Sequence, residues 1–319
     1  MFRYSLVIAV LFSVLLGACA PAAAPGAVEE PALKIGVLPI LDALPMYVAE
    51  SQGYFKDAGI NVTFVPVASA AERDQLMQAG QIDGMINDLV STVLYNKDTQ
   101  KITIVRFART ATPEAAQYSI LAAKDSGITQ WSDLKDVEIG ISEATVIAYA
   151  TDRLLEAEGL QAADIKTTNI PKIPDRLTLL ASGQLKAATL PEPTASLAVQ
   201  QGAVVIVDDH THTEIGNSVI SFSVATLSAK PNTVKKFLAA LEKAVADVNA
   251  SPDKFSTLLS DKKLVPAPLI GLYKLPKFPS ASVPSEAQFN DVEAWMKGKN
   301  LITADVPYAK LVDASYLPK

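Results

Sequence analysis

Asp175-Arg176-Leu177-Thr178-Leu179-Leu180-Ala181-Ser182-Gly183-Gln184-Leu185 runs in step with Glu72-Arg73-Asp74-Gln75-Leu76-Met77-Gln78-Ala79-Gly80-Gln81-Ile82, with Arg, Leu, Gly and Gln at matching places. Each run reads as a helix stopped by glycine. The match extends upstream. Val137-Glu138-Ile139-Gly140-Ile141 answers Lys34-Ile35-Gly36-Val37, and Leu154 to Leu160 answers the segment ending Asp57-Ala58-Gly59-Ile60. A period of about a hundred residues is too long for a solenoid unit and points to paired domains.

The stretch around the first run reads strand, helix, strand, helix, strand. Leu33 to Leu38 is a β-run, Met46 to Phe55 is helical, Asn61 to Val65 is extended, and Gly84-Met85-Ile86 follows the helix of residues 72–79. Short links between such elements give a parallel sheet covered by helices. The fold class is therefore α/β: two similar lobes, each a mainly parallel sheet with helices on both faces, joined by a hinge that the chain crosses twice. Tyr118 to Ala123 and Val219 to Ala225 bracket the second lobe as antiparallel strands beside that hinge. The first crossing is expected near Asp125–Leu134 and the return near Thr211–Asn217. Lobe I then takes residues 33–125 and 215–319, and lobe II takes 126–214. Thr233 to Val248 is a strongly amphipathic helix and Phe289 to Met296 a shorter one. Both are expected on lobe I.

The N-terminal segment speaks to compartment. Arg3, the apolar run Leu6 to Leu16, and Leu16-Gly17-Ala18-Cys19 have the order of an export signal. Cys19 is the only cysteine of the chain, and its setting resembles the bacterial lipobox, where the thiol takes a diacylglyceryl group. Residues 1–18 are expected to be a lipoprotein signal peptide, with an ordinary signal or a short membrane anchor as the alternatives. Residues 19–32, rich in Pro, Ala and Gly, read as a flexible tether. A formal charge of −6 without Lys/Arg blocks argues against a nucleic-acid partner. No later stretch approaches the ~20 apolar residues of a membrane span.

The opening Ile35-Gly36-Val37, Pro45-Met46-Tyr47-Val48-Ala49-Glu50, Gly53-Tyr54-Phe55 and Gly59-Ile60-Asn61-Val62 resembles the thiamine-pyrimidine, sulfonate and nitrate group of ABC-importer solute-binding proteins. Gly80-Gln81-Ile82-Asp83-Gly84 and the stretch Asp125 to Gly140 fit the same pattern, although Asp136 stands where that group usually has Gly. The resemblance implies a periplasmic binding protein-like II fold, an exported and lipid-anchored monomer, a small-molecule ligand, ABC permease subunits as partners, and no cofactor or catalysis. A fungal branch that makes the thiamine pyrimidine carries a cysteine-rich motif, which this chain lacks.

In open α/β sheets ligands bind beyond the carboxyl ends of strands, where helix N-termini expose free N–H groups. Position alone nominates Ile40, Leu41, Asp42 and Leu44 after the first strand, and Asn87 and Asp88 after Ile86. Arg109 and Thr110 follow the run Ile102 to Phe107. In lobe II the candidates are Ser142, Glu143 and Thr145, then Pro191, Glu192 and Thr194. Asp42, Asp88, Ser142 and Thr145 could equally cap helices, and Arg109 could pair with a surface acid. Four acids against one base favour an amino-bearing or cationic ligand, such as an aminopyrimidine, over a sulfonate. Tyr47, Tyr54, Tyr118 and Tyr149 could stack on a ring, with Tyr54 the weakest of them. His210 and His212 share the acidic run Asp208 to Glu214 and could chelate a metal from one strand face. A solvated turn before the return crossing is the simpler reading. No phosphate loop, nucleophile elbow or Ser-His-Asp pattern speaks for an enzyme.

Overall fold

The structure is a computed structural model that describes residues 29–319. The signal sequence, Cys19 and most of the tether lie outside the described residues. Strands β1 (Ala32–Val37), β2 (Asn61–Pro66), β3 (Gly84–Asn87) and β4 (Ile102–Thr110) alternate with helices α1 (Leu44–Ser51), α2 (Tyr54–Asp57), α3 (Ala70–Gln78) and α4 (Leu89–Asn96). Then come β5 (Tyr118–Ala122), β6 (Glu138–Ile141), α5 (Val146–Glu158), β7 (Lys166–Asn169), α6 (Ile173–Ala181), β8 (Ala187–Pro191), α7 (Thr194–Gln200) and β9 (Val204–Asp208). The chain closes with β10 (Asn217–Ser223), α8 (Val224–Ala229), α9 (Pro231–Ala250), α10 (Ser256–Asp261), α11 (Glu286–Gly298) and α12 (Tyr308–Leu311).

These strands form two five-stranded sheets of one design, β2-β1-β3-β10-β4 and β7-β6-β8-β5-β9. In each, the first three strands are parallel and the fourth is antiparallel. Even the register repeats: Gly36 faces Met85 in the first sheet, and Gly140 faces Ala188 in the second. A Cβ on Gly36 would come within 2.7 Å of Ile82 Cδ1, and one on Gly140 within 2.7 Å of Leu185 Cδ1. Ile82 and Leu185 are the matched last residues of the two runs that opened the sequence reading. The repeat thus records one packing solution used twice.

The fourth strand of each sheet is the one that arrives from the other lobe: β5 follows β4, and β10 follows β9. The first crossing is therefore residues 111–117, not the neighbourhood of Asp125–Leu134. Tyr118–Ala122 pairs with β8 and β9 and belongs to lobe II, which corrects the expected boundary at residue 125. Its apolar sequence suits the middle of either sheet, and only its hydrogen-bond partners decide the matter. The return crossing spans 209–216. The tether also ends earlier than expected. Glu29 accepts from the N–H groups of Asn232 (3.2 Å) and Thr233 (2.9 Å), which fixes it at the start of α9.

Helices cover both faces of each sheet. On one face of the first sheet, α1 and α9 bury Leu44, Met46, Phe237 and Leu241 with Leu33, Ile35 and Ile220. In the second, α6 and α7 cover one face and α5 the other. The α5 side continues without a break into Leu89, Val90 and Val93 of α4 and Phe289, Val292 and Trp295 of α11. One apolar core therefore spans both lobes along that edge. Helix α11 packs on α4 of lobe I, yet it also faces α5 of lobe II.

Candidate functional site

The carboxyl ends of the strands of both sheets face one another across a cavity of about 80 Å³. Short strand-to-helix links place the polar groups there. After β1 a single helical turn, Leu41–Ala43, carries Asp42. After β3 comes Asp88, whose carboxylate caps α4 by accepting from Ser91 N–H at 2.8 Å. After β6, Thr145 caps α5 by accepting from Ile147 N–H at 3.2 Å. Ser142 caps nothing: its carbonyl accepts from Thr145 Oγ1 at 2.7 Å.

Of the nominated residues, Ile40, Asp42, Asn87, Asp88, Ser142, Thr145 and Pro191 line this cavity. The others stand elsewhere. Leu41 and Leu44 are fully buried in the lobe I core, because the turn that aims Asp42 at the cleft aims its neighbours inward. Arg109 lies behind the wall, 3.9 Å from Asp42, and donates to the carbonyl of Ala116 at 3.1 Å. Thr110 ends β4 in register with Asn217 at the hinge. Glu143 is exposed. Glu192 faces a separate cavity beside Ser196 and Tyr273, and accepts from Ser196 Oγ at 2.7 Å. Burial pushes its carboxyl up, against the pull of Ser196 and Arg109.

Among the tyrosines, only Tyr118 lines the cleft cavity. Tyr47 packs edge-on to Phe64, Tyr54 bonds Asp247, and Tyr149 bonds Asp291 of α11. His210 and His212 lie on the turn after β9, not on a strand. His210 pairs with Asp208 while His212 stands 3.6 Å from Glu214, so they turn to different acids. Among the described residues no group of three or more His, Cys, Asp or Glu could hold a metal.

Sequence reasoning missed five polar wall residues: Arg73, Arg176, Gln117, Ser218 and Ser69, the last of which caps α3 by accepting from Glu72 N–H at 3.2 Å. The two arginines are the matched Arg of the repeat. Each reaches from its helix over the strand ends of its own sheet. Arg73 donates to Ile86 O at 3.2 Å and Ser91 Oγ at 3.0 Å, and pairs with Asp74 at 2.7 Å. Arg176 donates to Ile170 O at 2.7 Å and Thr189 O at 3.2 Å, with no acid in contact. Burial alone pushes its pKa down to about 10. The wall thus holds two carboxylates and two guanidiniums, not four acids against one base.

The acids are held differently. Asp42 accepts from Ser218 Oγ and, at 3.3 Å, from Gln117 Nε2. Asp88 stands between the N-termini of α4 and α5. Burial pushes its carboxyl up, opposed by Arg73 and by the N–H groups of Ser91 and Val146. The rest of the wall is apolar, chiefly Leu38, Ile86, Val146, Ile147 and Ile173. Asn87 spends its side chain within lobe I, on Thr92 (2.9 Å) and Ser221 (2.8 Å).

A family model described as NMT1/THI5 like matches residues 41–255. A 4-amino-5-hydroxymethyl-2-methylpyrimidine phosphate synthase of Aspergillus parasiticus is 26% identical over 222 residues, covering 65% of this chain and 63% of that protein. The chain thus spans less than two thirds of that relative. The alkanesulfonate-binding protein SsuA of Xanthomonas axonopodis pv. citri, bound to MOPS, superposes with a TM-score of 0.75 at 17% identity, over 90% of this chain and 99% of that one. The periplasmic nitrate-binding protein NrtA of Synechocystis PCC 6803 gives 0.71 at 14% identity, over 90% and 87%. These likenesses establish the two-lobed α/β fold of periplasmic binding proteins.

Proposed function

The chain belongs to the NMT1/THI5-like family, and from that premise we propose that it is the extracytoplasmic solute-binding component of an ABC importer. Its ligand is a small amino-bearing heterocycle, of the aminopyrimidine kind, held between the lobes. The observation that carries the receptor reading is a mostly apolar cavity enclosed by the strand ends of two equivalent sheets. A ligand there touches both lobes and favours closure if it binds the closed form better than the open one. Cys19 is the lipid-anchored N-terminus, to be read from the intact mass of membrane-extracted protein, and closure presents both lobes to a permease. The solved sulfonate- and nitrate-binding proteins of like fold support this role. The Aspergillus relative is named as a synthase. Against catalysis here, both histidines stand away from the cavity and the single cysteine lies at position 19.

The choice of ligand rests on which wall groups are free. Most donors that would suit an oxyanion are already engaged: N–H groups in the first turns of α4 and α5 bond Asp88 and Thr145, Arg73 donates to Asp74, Ile86 O and Ser91, and Arg176 donates through Nε and Nη1 to Thr189 O and Ile170 O. The wall still offers the second carboxylate oxygen of Asp88, which can accept from an amino group. The apolar wall and Tyr118 suit a ring. Calorimetric titration with an aminopyrimidine, an alkanesulfonate and nitrate decides the matter. The aminopyrimidine is expected to bind; tight binding of the sulfonate with none of the pyrimidine overturns the ligand class.

A further inference from the structure

Gln117 sits in the first crossing, one residue before β5, is 1% exposed, and lines the cleft cavity. Its backbone N–H donates to Asp209 Oδ1 at 2.7 Å. Its side-chain Nε2 donates to Asp42 Oδ1 at 3.3 Å and lies 3.5 Å from Ser218 Oγ. Its Oε1 is buried and accepts no hydrogen bond from the described residues. Turning the amide over would set Oε1 against the Asp42 carboxylate, acceptor to acceptor, with only the Tyr118 hydroxyl at 3.4 Å to offset that, so the orientation with Nε2 on Asp42 is the favoured one. A buried amide oxygen left without a donor is unfavourable, and native proteins rarely tolerate one without a reason.

We propose that Gln117 Oε1 accepts a hydrogen bond from an N–H of the bound ligand, which makes Gln117 a specificity-determining contact placed in the hinge itself. The inference rests on the amino-heterocycle reading and narrows it: the amino edge of the ligand points at the first crossing. The same side chain holds Asp42 of lobe I and neighbours Ser218, which follows the return crossing. Filling Oε1 therefore ties the ligand to both connecting segments at once. A ring of the same shape without the amino group leaves the oxygen empty and loses that tie.

The test uses two probes, 4-amino-5-hydroxymethyl-2-methylpyrimidine and the same ring with hydrogen in place of the amino group, titrated into the full chain. Wild type is expected to prefer the amino compound at least tenfold. Gln117→Met, which keeps the length and removes both polar groups, is expected to bind the two alike. The exchanged pair Asp42→Asn with Gln117→Glu keeps the total charge, the hydrogen bond between positions 42 and 117, and a spare acceptor at 117. It is expected to recover the preference. Equal binding by wild type, or a preference that survives in Gln117→Met, overturns the role of Gln117 and leaves the receptor reading standing. Binding of neither probe by wild type overturns the ligand class and this inference with it. Should Gln117→Met lose cooperative melting, the exchanged pair decides alone: a preference kept supports the proposal, and a preference lost overturns it.

Discussion

Asp209 holds the hinge together. Its Oδ1 accepts from the N–H groups of Gln117 (2.7 Å) and Tyr118 (3.1 Å) on the first crossing, while the residue itself opens the return crossing. Its Oδ2 is buried with no donor among the described residues and lies against Gly216, where any Cβ would collide with it. Burial pushes the carboxyl up to about 6, opposed by those two N–H groups and by Arg109, and reinforced by Asp208. A carboxyl whose folded value lies above its unfolded one binds more protons folded than unfolded. Its contribution is present in full below the unfolded value and is lost as pH rises through about 6. A shift of about two units corresponds to at most about 3 kcal/mol. Urea unfolding of wild type and Asp209→Asn across pH 4 to 7 isolates this one group. The difference between them should move toward the variant by up to that amount as pH rises. A difference that does not vary with pH would show that Asp209 keeps an ordinary carboxylate value. None of this was visible in the sequence, where Asp208-Asp209-His210 reads as a solvated acidic turn. Gln117 escaped for a related reason: with the crossing placed near residue 125, position 117 had no claim on the cleft.

Helices α5 and α11 meet along a polar seam between the lobes. Asp291 accepts from Tyr149 OH at 2.6 Å and from Arg153 Nε and Nη2, both at 2.9 Å. One turn further along α11, Trp295 Nε1 donates to Asp152 at 2.7 Å, and Lys299 approaches the same carboxylate at 2.6 Å. The first cluster has more bonds, but Asp291 is half exposed while Asp152 is buried. Screening leaves an exposed ion pair worth about 1 kcal/mol or less. Removing a donor from a buried carboxylate costs about 1–3 kcal/mol. Trp295→Phe should therefore destabilise more than Asp291→Ala, by urea denaturation, although it removes a single hydrogen bond. The reverse order would mean that the Arg153–Asp291 pair is better shielded than its exposure implies. The amphipathic pattern of α11 was legible from Phe289 to Met296, and its packing on lobe I followed. Its second role, facing α5, was not legible, because Asp291 and Lys299 read as ordinary surface charges. The repeated helix ends show the opposite case. Gly36 and Gly140, Ile82 and Leu185 recur because each sheet demands the same close fit, so the sequence kept a readable trace. The matched Arg73 and Arg176 belonged to that trace. What the repeat does not tell is that each arginine reaches back over the strand ends of its own sheet.

The apolar core that runs through α4, α5 and α11 limits how the lobes can part. Opening like free jaws would part Trp295 of α11 from Tyr149 and Asp152 of α5, all buried, and returning a large apolar side chain to water costs about 1.5–3 kcal/mol. Rotation about the seam keeps those side chains buried. It bends the crossings at 111–117 and 209–216 and parts the contacts around Asp88 and Val146 together with those of Leu197 and Gln200 of α7 against residues 267–269 of lobe I. The cleft is therefore expected to open on the side away from α11. Native-state hydrogen exchange separates the two motions without any ligand. Amides in the buried turns of α5 and α11 should exchange only through global unfolding, with the highest protection in the chain. Amides of cavity-lining residues, such as Val146 and Ile147 at the start of α5, should exchange through a cheaper opening with weaker denaturant dependence, because little surface is exposed. If the seam amides exchange by that same cheap opening, the lobes separate as a whole. The seam is then a contact of the closed form and not the pivot.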